Sequence, residues 1–418
     1  EKDGHDYPYE WVRWTENRNM QEFLRLAATG RVALEPLIDR VLPVERAAEA
    51  YAALAGGPPA APLAVLLDYT SAADRSPAAD RRHTIDVVPS RSRGRGVAVA
   101  VVGPGSFATA VHLPNLASLA PRARLRAVVG RAGVPAREAA RTFAGAYATV
   151  DLDRVLGDDA VDLVVIATRH DRHAALAERA LRAGKAVFLE KPAALDREQL
   201  YALDAAVRQT GNPIVVGFNR RFAPDVVALA GVLRRRRGPL VASYRIHAGA
   251  LPAEHWLRGP EGGGRLIGEA CHMLDLLGFL VGAQRTAAAV HAPAPPAGRP
   301  DLGPRDNFVV TTAYADGSLA TLTYTSLGDP AAAKERIEVS WDDKTAVIDD
   351  FVSLATSGVE IAARRSARPD KGHRAILERF VEHLEGDAPP PIPWDEIADV
   401  TRLTFDLDDE LRGSGRGE

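Results

Sequence analysis

Between residues 97 and 217 short, continuous apolar runs alternate with segments whose apolar residues recur at helical spacing. Val97–Val102, Leu125–Val129, Val161–Ala167, Ala186–Glu190 and Pro213–Gly217 read as buried strands. Pro135–Phe143, His173–Ala183 and Asp196–Thr210 carry the amphipathic helical pattern. Buried strands that alternate with such helices predict βαβ units and a parallel, doubly wound sheet. Beyond residue 217 the period changes. Leu240–His247, Asn307–Tyr314 and Ser318–Ser326 alternate apolar and polar positions, and Asp316-Gly317 supplies a hairpin turn between the last two. Arg336–Trp341 and Thr345–Ile348 predict a second hairpin around Asp342–Lys344, and two helices near Arg374–Leu384 and Asp395–Leu411 close the chain. These elements predict an α/β domain with an open, mostly antiparallel sheet.

The first 69 residues have a different rhythm. Asn19–Gly30 and Val44–Leu54 read as short helices, and Leu63–Leu67 as a short buried strand. A segment of this size forms a core of its own only marginally. Residues 70–95 are rich in Ser, Ala, Asp, Arg and Pro and read as a flexible linker. The expected organisation is therefore 1–69, a linker over 70–95, a dinucleotide-binding domain over 96–216, and a substrate and oligomerisation domain over 217–418.

Composition narrows the function classes. The chain has 418 residues, 46% hydrophobic and 26% charged, with a net charge of −3. Near-neutral charge argues against nucleic acid as a partner, and no apolar run is long enough for a membrane span. No signal peptide is visible, which predicts a cytoplasmic protein; a start at Glu1 rather than Met suits a processed or cropped chain. A single cysteine, Cys271, excludes an intramolecular disulfide framework and a multi-cysteine zinc site, and no metal is expected. Of 52 basic residues only six are lysines, so a lysine that handles charge at a reacting centre is one of Lys2, Lys185, Lys191, Lys334, Lys344 and Lys371.

The chemistry-bearing motifs follow the strands. Gly103-Pro104-Gly105-Ser106-Phe107-Ala108 lies between the first strand of the alternating region and a helix, as a G-x-G-x-x-A phosphate turn requires. The acid that would grip an adenosine ribose is absent from the end of the second strand, where Arg131 stands, so the motif predicts NAD or NADP with a lean to NADP. Glu190-Lys191-Pro192 ends the fourth strand, where Lys191 would donate to a substrate oxygen. Thr168 and His173 follow the third strand and are placed at the cofactor, as is Glu190. Asn219, Arg220 and Arg221 follow the fifth strand and are placed at a polar or anionic substrate. In the helix after Gly262-Gly263-Gly264, residues Glu269, His272 and Asp275 are spaced three apart and predict one shared surface, with His272 as general base and Asp275 beside the substrate. Cys271 reads as a packing thiol.

Over about residues 96–412, at the glycine turn, Glu190-Lys191-Pro192, Gly217-Phe218-Asn219-Arg220-Arg221-Phe222 and the helix with His272, the sequence resembles the glucose–fructose oxidoreductase and inositol dehydrogenase (Gfo/Idh/MocA) family. The resemblance implies a Rossmann domain followed by an α/β domain whose open sheet forms a homo-oligomer interface. It also implies oxidation or reduction of sugar or cyclitol ring carbons with NAD or NADP, with Lys191 and His272 as the catalytic pair. Many members carry an aspartate four residues before the histidine; here that position is Gly268, and Glu269 is the substitute. The expected function is hydride transfer between a nicotinamide and a ring alcohol or ketone of a sugar-type substrate. The alternatives are a redox-neutral epimerase or lyase with a tightly held cofactor, and a non-catalytic dinucleotide- or sugar-binding protein. Residues 6–69 resemble the C-terminal end of a zinc-type medium-chain alcohol dehydrogenase, which implies a remnant without activity of its own.

Overall fold

The computed structural model of the chain describes residues 7–55, 62–69, 83–87, 96–252, 254–293, 305–329, 331–359, 361 and 363–414. It divides into two units, residues 1–82 and 83–418. Most of the segment read as a linker, 70–82 and 88–95, lies outside the described residues.

In the first unit a helix, Glu16–Ala28, starts where the Thr15 hydroxyl accepts from the Arg18 N–H. Strand β1 (Arg40–Pro43) pairs in parallel with β2 (Val65–Asp68) across the helix Ala47–Ala55. Asp39 ties the entry of β2 by accepting from the Leu63 and Ala64 N–H groups. Among the described residues of this unit only Thr15 and Ala50 are buried, while Trp11, Leu24, Tyr51 and Leu63 are exposed. So small a core contributes little stability by itself.

The second unit holds two sheets. The first comprises β3 (Thr84–Asp86), β4 (Val97–Val102), β5 (Ala123–Val129), β6 (Tyr147–Thr149), β7 (Leu163–Ile166), β8 (Ala186–Leu189) and β9 (Ile214–Val216). Their order is β3-β6-β5-β4-β7-β8-β9, parallel throughout except at the β3–β6 edge. Thr84–Asp86, inside the segment expected to be linker, is thus an edge strand, held also by the Val87 N–H on the Ala146 carbonyl. All six residues of β4 are buried, the pattern of a strand covered on both faces. The strand order reverses beside β4, and at such a switch point a crevice opens beyond the carboxyl ends of the strands.

The second sheet comprises β10 (Leu240–His247), β11 (Arg285–His291), β12 (Phe308–Tyr314), β13 (Leu319–Thr325), β14 (Glu335–Trp341), β15 (Lys344–Asp349), β16 (Ser353–Ser357) and β17 (Arg364–Arg365). The order is β11-β12-β13-β10-β14-β15-β16-β17, and only β10 and β13 run parallel. Along β10 buried positions alternate with exposed or half-buried ones, so one face packs and the other is open. The helix Cys271–Val281 lies against β10 and β13, and His373–Leu384 reaches across to the nucleotide-domain helix Leu113–Ser118. Among the described residues no helix is long and apolar enough to cross a membrane.

Candidate active site

The glycine turn leaves β4 at the switch point. Gly103 has φ +90°, and a Cβ there would stand 2.8 Å from the Ala167 carbonyl oxygen, so only glycine fits. The Gly105 N–H donates to the Gly103 carbonyl at 2.8 Å, which closes the turn. Gly105 itself faces open space, with no atom within 4 Å of where a Cβ would be. This is a cradle an anionic group can approach, at the start of a helix whose free N–H groups favour negative charge. Ser106 and Phe107 are exposed beside it, and Ala108 is fully buried against the sheet. The residues present therefore fit a dinucleotide. Thr168 lies with its methyl group over Gly103, and Arg131 is exposed just after β5.

Lys191, half-buried after β8, is held at its tip: Nζ donates to the Gly268 carbonyl at 2.9 Å. Its own N–H donates to Oε2 of Glu190 at 3.2 Å. The other Glu190 oxygen lies 2.8 Å from Nε2 of His112. Burial alone would raise the Glu190 carboxyl, but the His112 hydrogen bond and the charges of His112 and Lys191 hold it below the usual carboxylate range. Hence His112 donates from Nε2. No described atom partners its buried Nδ1.

His272 lies in the first turn of the helix Cys271–Val281 and is buried, with Phe218 edge-on at 6.0 Å. Burial, then the charges of Arg220 and Lys191, push its pKa well below 6.5, so the ring is neutral. Its Nδ1 has no partner among the described residues. A neutral imidazole in the field of a lysine can act as a proton acceptor near an oxygen-binding cation.

His272 and Asp275 lie three apart within the α-helix Cys271–Val281, while Glu269 precedes that helix. Leu266–Ala270, which holds Glu269, is a π-helical turn, wound wider than the α-helix that follows. Glu269 instead pairs with Arg265 and accepts from the Tyr324 hydroxyl. Burial raises its carboxyl, but Arg265, that hydroxyl and the Lys191 charge outweigh it, so Glu269 stays ionised within reach of Lys191. Asp275 pairs with Arg221 through two hydrogen bonds of 2.7 and 2.8 Å.

The residues expected at the substrate after β9 are likewise committed internally. Arg220 forms a two-bond pair with Glu335, both bonds 2.9 Å, and Arg221 pairs with Asp275 and Glu396. The Asn219 amide donates to the Lys371 carbonyl at 2.7 Å. All three are buried. These pairings have a physical reason: an arginine out of water needs a carboxylate, and here each has one from the second sheet domain. His173, expected at the cofactor, is also buried and spends its ring on backbone carbonyls, Pro192 at 2.8 Å and Thr168 at 3.2 Å.

Sequence reasoning did not single out His112, His170, Tyr324, Glu335 or His373, and named Lys371 only among the six lysines. Glu335 is a hub that binds Arg220, Lys371 and the Tyr244 hydroxyl. His373 opens its helix beside Phe107, ring centres 5.8 Å apart, and burial lowers it to about 4. A cleft of about 480 Å³ lined by Asp171, Arg258, Gly263, Arg265 and Asp408 backs onto the Gly262–Gly264 run. Neither Lys191 nor His272 lines it, so the chemistry lies elsewhere. Among the described residues no group of three or more His, Cys, Asp or Glu is arranged to hold a metal ion.

Two family models match the chain: an oxidoreductase family's NAD-binding Rossmann fold over residues 97–218, and the C-terminal alpha/beta domain of the same family over residues 240–388. The inositol 2-dehydrogenase of Rhizobium meliloti (strain 1021) is 36% identical over 161 residues, which is 37% of this chain and 47% of that protein. The chain thus spans just under half the length of that relative. Inositol 2-dehydrogenase 2 of Paenarthrobacter aurescens (strain TC1) is 30% identical over 314 residues, 71% of this chain and 90% of that one. The crystal structure of the WlbA dehydrogenase from Bordetella pertussis in complex with NADH and UDP-GlcNAcA superposes with a TM-score of 0.64 at 21% identity, covering 76% of this chain and 96% of that chain. This last likeness is one of fold.

Proposed function

We propose a function from one premise: this chain belongs to the Gfo/Idh/MocA oxidoreductase family, with its NAD-binding Rossmann fold and its C-terminal alpha/beta domain. The chain is an NAD(P)-dependent dehydrogenase that interconverts a ring CH–OH and a ring ketone on a sugar or cyclitol. With the pyrophosphate of a dinucleotide held at the Gly103–Ala108 turn, its nicotinamide would supply the hydride acceptor or donor. In the oxidative direction neutral His272 accepts the hydroxyl proton. Lys191 keeps one N–H on the Gly268 carbonyl and offers its others to the same oxygen, which stabilises the negative charge that develops there. Glu269, ionised and anchored by Arg265, orients substrate hydroxyls. The observation that carries this reading is Lys191, tied at its tip to the Gly268 carbonyl, acting by its charge on a buried, neutral His272. The relatives named as inositol dehydrogenases support the substrate class.

The test is Lys191→Ala. NADH binding, followed by nicotinamide fluorescence, stays within about threefold of wild type, while oxidation of myo-inositol or another responsive polyol falls by about 10²–10³. Unchanged turnover in that variant removes Lys191 from the mechanism.

Finer features follow the same reading. Exposed Arg131 supports a preference for NADP; a tenfold tighter hold on NADH than on NADPH would refute it. Exposed Val241 and Leu319 on the open sheet face support homo-oligomerisation through that face. The one free, buried cysteine suits a cytoplasmic protein. The β1–helix–β2 unit with its small core supports reading residues 1–69 as an alcohol dehydrogenase remnant without activity of its own.

A further inference from the structure

We propose that His112 and His173 are positioning residues that bracket Lys191, one acting on the residue before it and the other on the residue after it. The proposal rests on the reading above that Lys191 meets the substrate oxygen.

On one side His112 donates to Glu190 at 2.8 Å, and the second oxygen of the same carboxylate accepts the Lys191 N–H. The carboxylate packs close against Gly217, where an added Cβ would lie 3.0 Å from its Oε1. The His112 ring is itself fixed edge-on by Phe107 at 5.3 Å and Phe188 at 5.4 Å. On the other side His173 is fully buried, and burial lowers its pKa, which leaves one ring proton. The shorter contact, 2.8 Å, puts that proton on Nδ1, donated to the Pro192 carbonyl. The far end of the lysine is tied to Gly268. Lys191 is therefore held before, after and at its tip.

The two histidines come from the segments that follow β4 and β7, the strands flanking the switch point. His112 ends a π-helical turn, Ala108–His112, that begins directly past the exposed Gly105–Phe107 cradle. The backbone that would receive a dinucleotide is thus connected through one helical turn, one imidazole and one carboxylate to Lys191. Packing alone does not account for this: an apolar ring would fill the same volume without burying an unpartnered Nδ1. A reacting group misplaced by an ångström loses much of its effect, so such a bracket has functional weight.

The test uses geometry. A Gln amide nitrogen reaches the place of a histidine Nε2, and an Asn amide nitrogen that of Nδ1. The variants are His112→Gln, His112→Asn, His173→Gln, His173→Asn and the two leucine variants. Acetylation of Lys191 by an N-hydroxysuccinimide ester is read by peptide mass spectrometry against exposed Lys334 in the same sample. NADH affinity is measured in parallel. Gln at 112 and Asn at 173 should keep the Lys191/Lys334 ratio within about twofold of wild type, while the crossed variants and the leucines change it about fivefold or more. NADH affinity should stay within about threefold. If a leucine variant does not fold, the crossed Gln and Asn pattern decides. Equal behaviour of Gln and Asn at both positions, or an unchanged ratio in every folded variant, overturns the bracket. Failure of the wild-type protein to bind NADH would instead remove the proposed function and leave the acetylation pattern to judge the bracket alone.

Discussion

Replacing Glu335 with Gln keeps the side-chain volume and removes one buried charge. That carboxylate is fully out of solvent and binds Arg220, Lys371 and the Tyr244 hydroxyl. Burial raises its pKa, but the Arg220 and Lys371 charges overcome this and bring it from 4.5 to about 2. At about 1.4 kcal/mol per pH unit, the gap corresponds to about 3 kcal/mol of stability at pH 7. Breaking a buried ion pair from one side costs a similar 3–5 kcal/mol or so, because the partner cations are left uncompensated. A carboxyl whose pKa is depressed by folding stabilises fully above its unfolded value and loses that contribution as pH falls through the folded one. The difference between wild type and Glu335→Gln should therefore be constant above about pH 5, then shrink between 4.5 and about 2. Urea unfolding followed by circular dichroism, at pH 7 and in steps down to pH 4, measures it. A difference below about 1 kcal/mol at pH 7 would refute the assignment of Glu335 as the charge hub.

At Gly268 a Cβ would lie 2.7 Å from the Gly262 carbonyl oxygen and 2.9 Å from Leu257 Cδ1; Gly268→Ala should cost about 1–3 kcal/mol and lower the melting temperature, and an unchanged melt would contradict the close approach. Gly103→Ala should destabilise strongly because of its φ of +90°, whereas Gly105→Ala should leave the melt unchanged and weaken NADH binding; equal melts for the two would contradict the open cradle. Because burial and neighbouring cations hold His272 well below 6.5, it remains a base on mild acidification, and the acid limb of kcat in the oxidative direction should fall below pH 6.5; a limb at or above that value would exclude it as the proton acceptor. His272→Gln should lower kcat by about 10²–10⁴ with little effect on NADH affinity, which a binding titration checks.

The sequence pattern located the frame because frame elements are local. The runs Val97–Val102 and Leu240–His247 coincide with β4 and β10, and the turn at Asp316-Gly317 joins β12 to β13. Elements too short to carry a period escaped it: β6 has three residues and β3 three, set in a polar stretch. The site was legible where it depends on strand ends, at Gly103, Gly105 and Lys191. It was illegible where it depends on partners distant in sequence. Two adjacent arginines after a strand resemble a substrate clamp, yet Glu335 lies 115 residues from Arg220, and Glu396 lies 175 from Arg221. No local signal reports such partners. The π-turns at Ala108–His112 and Leu266–Ala270 hide in the same way, since a single extra residue in a turn leaves the apolar pattern readable as ordinary helix.

The glycine at position 268 now has a physical account. With the Gly262 carbonyl, Leu257 and His170 packed against it, a side chain there must displace them, and this native chain places no carboxylate against Lys191 from that position. Its backbone carbonyl accepts from Lys191 instead, and a neutral acceptor positions the ammonium while leaving its charge intact. The two nearby anions are each held by partners of their own, Glu190 by His112 and Glu269 by Arg265 and Tyr324. Burial first, and then the charges of Arg220, Lys191 and Lys371, keep the His272 ring unprotonated. The same field favours negative charge on an oxygen placed between Lys191 and His272. In the proposed reaction an alcohol oxygen at Lys191 would pass its proton to the buried, neutral His272, and the cations around it would stabilise the charge left behind.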